Sequence, residues 1–336
     1  MRLSDAVRNV PGRLVSDGEF RCLAFATEKE QTSFLTFLER EQFLPSLENP
    51  GISCVLTSPV LADQVPAHIQ GVFACERPKA ALFEIHNQMI SNEEYVGPSF
   101  PTKVGKNCNI SPLAAIDTEN VMIGDHVTIE PFAVVKGRVS IGDGVVIHSG
   151  AVIGCKGFSF AKDQSDANIP VVDTARIVIE KDAEIFDLAS VSTGIFPWEK
   201  TVIGENSRID TRCFIAHSTH IGRNCLIAAG GLCCGNTQIG DDVWIGAGAV
   251  VSNRVSIGSH ARVSIGAVVT KDVPAGETVT GNFAIPHQTF MRNLKLSLME
   301  GMICGQVCRA PGGGGDGGVG PPGGGGGAGG GGGGRP

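Results

Sequence analysis

The sequence predicts a mainly β chain, a parallel β-helix solenoid preceded by a separate N-terminal α/β domain. Three observations predict it. From Ile203 an aliphatic residue returns at 209, 215, 221, 227, 233, 239, 245, 251, 257 and 263, with Cys233 the one non-aliphatic member. A helix needs a period near 3.6 and a lone strand a period of 2, so a strict period of six requires very short strands joined by tight corners. An earlier block, Val104, Ile110, Ile116, Ile123, Ile129, Val135, Ile141, Ile147 and Ile153, keeps the same period with one extra residue before Ile123. The first hundred residues carry no such repeat and read as mixed helix and strand.

Taken in order, the N-terminal domain spans 1–95. GISCVLTS and GVFAC are its candidate strands, being short, apolar and rich in β-branched residues, and 32–47 and 78–89 are its candidate helices. The connector EEYVGPSFP, which holds Tyr95, the single tyrosine, marks the boundary. The solenoid occupies 96–285. Gly follows the repeat position at 204, 222, 240, 246 and 258, and Ser207, Thr219, Thr237 and Ala249 lie four residues after it; small residues suit crowded corners. GCKGFSFAKDQSDANIPVVDTAR, 154–176, breaks the period, and a loop of that length leaving a regular coil is expected to be functional. HQTFMRNLKLSLME gives a short C-terminal helix, 286–303, and 304–336 is a Gly-rich tail with too few apolar residues to offset its chain entropy, expected to be disordered.

Composition narrows the function classes. The chain has 336 residues, 42% of them hydrophobic, enough to bury a sizeable core. A net charge of −7 without a long basic run argues against a nucleic-acid or anionic-membrane surface, and the absence of a long apolar run argues against membrane insertion. A cytoplasmic location is expected, since 11 scattered cysteines fit reduced thiols better than a disulfide framework. CGQVC lacks a second ligand pair, so no metal site is predicted.

Against this regular background, IAHSTHIG places His217 and His220 on one corner of the repeat, and a glycine, Gly235, stands eighteen residues after His217. A histidine in such a turn is ordinarily a surface residue, and His220 is read that way.

Further residues resemble the UDP-3-O-acylglucosamine N-acyltransferase family of lipid A biosynthesis, over roughly residues 3–300. LTFLEREQFLPSLENPGISCVLTSPVLAD looks like its uridine-binding segment, with Phe37 and Phe43 at the aromatic positions; GCKGFSF looks like its glycine-aromatic loop, with Phe158 and Phe160; IDTRCFIAHSTHIG looks like its catalytic stretch, with Asp210 seven residues before His217. The resemblance implies a left-handed parallel β-helix with three hexapeptides per coil, usually trimeric, and an N-terminal domain that binds a uridine nucleotide. It further implies transfer of a 3-hydroxyacyl group from acyl carrier protein to the 2-amine of UDP-3-O-acylglucosamine, with no tightly bound cofactor. His217 is then the general base, Gly235 the oxyanion donor, and Asp210 either orients His217 or contacts the sugar. A neutral histidine is suited to take the proton an attacking amine loses.

There are departures from the family pattern. Ser218 replaces the asparagine after the catalytic histidine, Phe43 replaces a tyrosine, STGIFPWEK with Trp198 and Glu199 replaces an acidic motif, and Arg254 stands at a second histidine. Arg254 is read as a phosphate contact or an ion-pair partner. These changes lie in what is expected to be the substrate groove, and GAVVTKDVPAGETVTGNFA looks like the last coil of coenzyme-A-dependent hexapeptide acetyltransferases. The competing expectation is therefore an acetyl-CoA-dependent enzyme acting on another nucleotide-linked amino sugar. A zinc solenoid resembling γ-class carbonic anhydrase needs three converging histidines at a spacing absent here, and a pure scaffold needs no N-terminal domain of this kind.

Overall fold

In the computed structural model, which describes residues 1–163, 165–281, 284 and 286–307, the N-terminal domain is built around five strands. These are β1 (Arg13–Ser16), β2 (Cys22–Leu23), β3 (Phe34–Leu38), β4 (Ile52–Thr57) and β5 (Gly71–Ala74), in the order β1-β5-β4-β3-β2. The last four are mutually parallel and β1 is antiparallel to β5. Strands buried on both faces read as unbroken apolar runs, and alternate residues serve opposite sides. Leu35, Leu56 and Phe73 pack with Leu82, Phe83 and Ile85, which lie on a helix, Pro78–Met89, while Phe34, Val55 and Val72 pack with Leu47 and Ile69.

The helix expected over 32–47 is not formed. FLTFL becomes β3, and a 3-10 helix, Glu41–Glu48, with Pro45 inside it, follows. Pro45 lacks an amide hydrogen and crowds the preceding turn, while the Phe34–Leu38 backbone finds parallel partners in β4 along its length and in β2 at Phe34 and Leu35. The candidate helix at 78–89 and the strands in GISCVLTS and GVFAC are found.

From Lys103 to Val279 the chain is a mainly β solenoid, a parallel β-helix of the left-handed hexapeptide type. Three parallel sheets of nine, eight and eight strands form its faces. In the regular part each strand pairs with the one eighteen residues on, as Ile215 does with Cys233. All eleven positions of the Ile203 series are 4% exposed or less and form one continuous core. The corners bury the small hydroxyl residues: Ser207 donates to the Gly222 carbonyl at 2.8 Å and Thr219 to the Cys234 carbonyl at 3.1 Å. At most corners one residue takes positive φ, including Ser218, Asn236 and Arg254 at 55°, 61° and 61°, which stack in register along one edge.

Two excursions leave the coil at that same edge. Ile153 pairs with Val191 across the first, 154–176, which carries an antiparallel hairpin of Phe160–Lys162 and Asn168–Pro170. Val191 pairs with Ile215 across the second, at 193–199. Ala161, Val171, Ile195 and Phe196 from these excursions share a buried cluster with Leu35, Leu56 and Phe83 of the N-terminal domain. Apolar packing thus joins sheet and solenoid into one compact unit, Met1–Asn282. A separate C-terminal helix, His287–Val307, runs past the expected end at 303, and the rest of the predicted Gly-rich tail lies outside the described residues.

Candidate active site at the edge of the solenoid

The register of the coils sets the site. His217, Gly235 and Asn253 occupy equivalent positions eighteen residues apart, and Ser218, Asn236 and Arg254 form the adjoining column. Coil-to-coil bonds lock the columns: Asn236 donates its backbone N–H to the His217 carbonyl at 2.9 Å, and Arg254 to the Gly235 carbonyl at 3.0 Å. Neighbouring strands lie ~4.8 Å apart, so a side chain at 235 would sit on the His217 ring. A Cβ there would come 2.5 Å from Nε2 and 2.6 Å from Cε1, so the ring holds this position only beside a glycine. Among the described residues the Gly235 N–H has no acceptor, and neither His217 ring nitrogen has a hydrogen-bond partner. Partial burial pushes the imidazole below its ordinary pKa, and the Arg254 cation pushes in the same direction, so the ring is neutral at pH 7.

This corner forms one wall of a cleft of about 730 Å³. His217, Asn236, Asn253 and Arg254 line one side. Phe37 at the carboxyl end of β3 and Phe43 from the 3-10 helix line the other, with Phe158 and Phe160 from the first excursion. Phe43 is 52% exposed and Phe158 96% exposed, so these rings are presented to the cleft rather than spent on the core. Phe158 and Phe160 meet edge to face at 5.1 Å, as do Phe25 and Phe37 at 6.3 Å. A second hollow of about 830 Å³, bordered by Arg21, Ser33, Ile52 and Gln70, lies at the opposite, amino ends of the parallel strands. Ligands of open parallel sheets bind at the carboxyl ends, which favours the His217 cleft over the larger hollow.

Most of the residues singled out in the sequence therefore converge: His217, Phe37, Phe43, Phe158, Phe160 and Arg254 surround one space, and Gly235 lies against the His217 ring. Asp210 does not join them. It sits at the preceding corner, where its carboxylate accepts from the Thr211 N–H at 2.6 Å and the Ala229 N–H at 2.9 Å, so within this chain it neither orients His217 nor borders the cleft. Both its oxygens serve backbone donors left unpaired by the turn. Trp198 is likewise no groove residue: its indole donates to the Leu23 carbonyl at 2.9 Å and stacks on Phe196. Arg40, Lys79, Asn236, Asn253 and Ile195 also line the cleft and were not singled out in the sequence. Counting eighteen from His217 and Ser218 would have found both asparagines; Arg40 and Lys79 had no such signal.

No group of three or more His, Cys, Asp or Glu placed to hold a metal occurs among the described residues, and no described helix is long and apolar enough to cross a membrane.

Comparison with known proteins agrees with this architecture. The family described as bacterial transferase hexapeptide (six repeats) matches residues 120–155, 200–232 and 236–271. The unmatched interval between the first two, 156–199, contains the second excursion and all but the first two residues of the first. A UDP-3-O-acylglucosamine N-acyltransferase of Coxiella burnetii is 27% identical over 217 residues, 57% of this chain and 62% of that protein. One from Helicobacter hepaticus is 28% identical over 204 residues, 54% of this chain and 60% of that protein. The chain thus spans a little under two thirds of the length of these curated relatives. Among solved structures, a UDP-N-acetylglucosamine acyltransferase from Campylobacter jejuni aligns with a TM-score of 0.48 at 22% identity, covering 54% of this chain and 68% of that one. Over part of its length the chain is thus similar to bacterial hexapeptide transferases and to UDP-3-O-acylglucosamine N-acyltransferases.

Proposed function

We propose that the protein is an N-acyltransferase that moves a 3-hydroxyacyl group from the phosphopantetheine thioester of acyl carrier protein to the 2-amine of UDP-3-O-acylglucosamine. The observation that carries this reading is the pairing of a neutral imidazole with an unengaged backbone N–H, His217 beside Gly235, on the wall of an aromatic-lined cleft. The amine attacks the thioester carbonyl while His217 takes its proton. The resulting oxyanion accepts a hydrogen bond from the Gly235 N–H. Collapse of the tetrahedral adduct breaks the carbon–sulfur bond, and the imidazolium returns its proton to the departing thiolate. No covalent enzyme intermediate is needed.

Phe43 and Phe37 suit the uracil face, Phe158 and Phe160 the acyl chain, and Arg254 an anionic phosphate. Their shared lining of the cleft supports these roles. The cleft is open on the solenoid surface, so enclosing a long acyl chain calls for a wall from a neighbouring copy, and a homotrimer is the assembly proposed. A light-scattering mass of three chains is expected, and a monomer at micromolar concentration would remove the shared-site arrangement. A cytoplasmic location goes with these donor and acceptor substrates.

The test is a mass-spectrometric N-acylation assay. It offers UDP-3-O-acylglucosamine with 3-hydroxyacyl carrier protein, and in parallel other nucleotide-linked amino sugars with acetyl-CoA. Product from the first pair is expected, falling by about 10²–10⁴ in His217→Ala, the usual worth of a positioned general base. Product only from acetyl-CoA would move the protein to the other amino-sugar reading, and unchanged activity in the variant would remove His217 from the chemistry.

A further inference from the structure

Behind the His217 corner lies a carboxyl group that the reaction above leaves unused. Glu199 is 7% exposed. Its Oε2 accepts from the Ile195 N–H at 2.9 Å and the Phe196 N–H at 3.1 Å, closing the second excursion into a tight turn that the Glu199 N–H to Phe196 carbonyl bond completes. Gly194 is where this turn meets the catalytic corner. A Cβ at 194 would lie 2.6 Å from Glu199 Oε2 and 3.0 Å from Ser218 Oγ, so the absence of a side chain lets both oxygens crowd one point. Ser218, directly after His217, is 8% exposed, and its hydroxyl has no hydrogen-bond partner. It lies near enough to favour the ionised carboxyl while standing outside hydrogen-bond geometry. The turn also shapes the cleft, because Ile195 lines it while Trp198 anchors the turn to Leu23.

We propose that Glu199 is a positioning residue for His217. Ionised, it holds the 194–199 turn against the His217–Ser218 corner; protonated, it releases the turn, so the site becomes competent only after two deprotonations. An ionised carboxylate makes charge-assisted bonds to both N–H groups and offers an acceptor for the stranded Ser218 hydroxyl, roughly doubling the strength of each bond over its neutral form. Burial raises the carboxyl to about 7, against the opposing pull of the Phe196 and Ile195 N–H groups. Of the ionisable groups, Glu28 adds its charge to the rise, and the Tyr95 phenol feels the Glu199 carboxyl in turn. Release and closure therefore fall within the physiological range.

The inference rests on His217 being the base, so its experiment has two arms. In the first, the pH profile of kcat/KM is measured for wild type and Glu199→Gln, which keeps an oxygen acceptor but does not titrate. Wild type is expected to rise with two ionisations, one below 6.5 from His217 and one near 7. Glu199→Gln is expected to keep only the first, so that the ratio of kcat/KM at pH 8 to pH 6 shrinks by about tenfold. The second arm needs no turnover. The chain has two tryptophans, and in a Trp244→Phe background Trp198 reports the turn; its fluorescence should titrate near pH 7 and lose that titration in Glu199→Gln. A wild-type profile with one ionisation, or one unchanged in Glu199→Gln, overturns the proposal, as does a pH-insensitive Trp198. Absence of any acyl transfer, or full activity in His217→Ala, would instead defeat the catalytic reading, with the fluorescence arm still deciding whether Glu199 controls the turn.

Discussion

A glycine is the most informative residue of the site. Gly235 stands between His217 and Asn253 in its column, and what it contributes is space beside the imidazole and an unencumbered N–H. Gly235→Ala tests the space, since alanine keeps the N–H. The added methyl meets His217 at 2.5 Å, so the ring must swing away, and kcat is expected to fall about 10²–10⁴-fold, as for loss of a positioned general base. Because the clash is with a side chain free to move rather than with backbone, the thermal midpoint should change little. A large drop in that midpoint with kcat preserved would show Gly235 to be structural.

At the scale of elements, the junction between helix Pro78–Met89, the Tyr95 connector and the first excursion turns on one histidine. His86 is fully buried, with Tyr95 Oη 2.8 Å from Nδ1 and the Val172 carbonyl 2.7 Å from Nε2. The carbonyl can only accept, so Nε2 carries the hydrogen and Nδ1 accepts from the phenol: a neutral ring with both nitrogens satisfied. Burial lowers its pKa, against the pull of the Val172 carbonyl. Below the unfolded value near 6.5 the unfolded chain takes up a proton that folded His86 refuses, so His86 costs stability as the pH falls. On a solenoid face His148 has the opposite sign. Desolvation works against its charge, but hydrogen bonds and charges from Glu184 and Glu130 prevail and raise its pKa. Its contribution is fully present below about 6.5 and fades as pH rises through the raised value. Thermal melts between pH 5.5 and 8 should therefore show His86→Gln flattening the acid loss and His148→Gln costing most at low pH. Tyr95→Phe, which strands Nδ1, should cost about 1–3 kcal/mol at neutral pH in denaturant titrations.

Over the whole molecule, stability is distributed coil by coil. Each coil touches only its neighbours, so burial depends on position along the axis. Ile227 is 1% exposed in mid-solenoid, whereas Val104, at the same repeat position in the first coil, is 53% exposed. Ile227→Ala should cost about 2–5 kcal/mol by urea unfolding, while Val104→Ala should stay within about 0.5 kcal/mol. Similar losses at both sites would mean that the first coil is covered in solution. The excursions, rather than the coils, attach the N-terminal domain: Ile195 and Phe196 are 5% and 0% exposed because they complete a core begun by the β-sheet.

A period of six is a one-dimensional signal that dictates a solenoid, because every sixth side chain must point inward; the eighteen-residue coil that aligns His217 with Gly235 came with the family resemblance. The motif resemblance likewise brought Phe37, Phe43, Phe158, Phe160 and Arg254 into view. Only the tertiary structure decided what depends on partners distant in the chain. FLTFL forms a strand because β4 lies beside it, though its apolar pattern suits a helix equally. Within this chain Asp210 stands apart from the cleft, two backbone N–H groups at its own corner claiming its oxygens, and Trp198 lies outside the groove because the Leu23 carbonyl claims its indole. Hydrogen-bond partners and enclosure are properties of neighbours in space, and a repeat fixes only neighbours along its own axis.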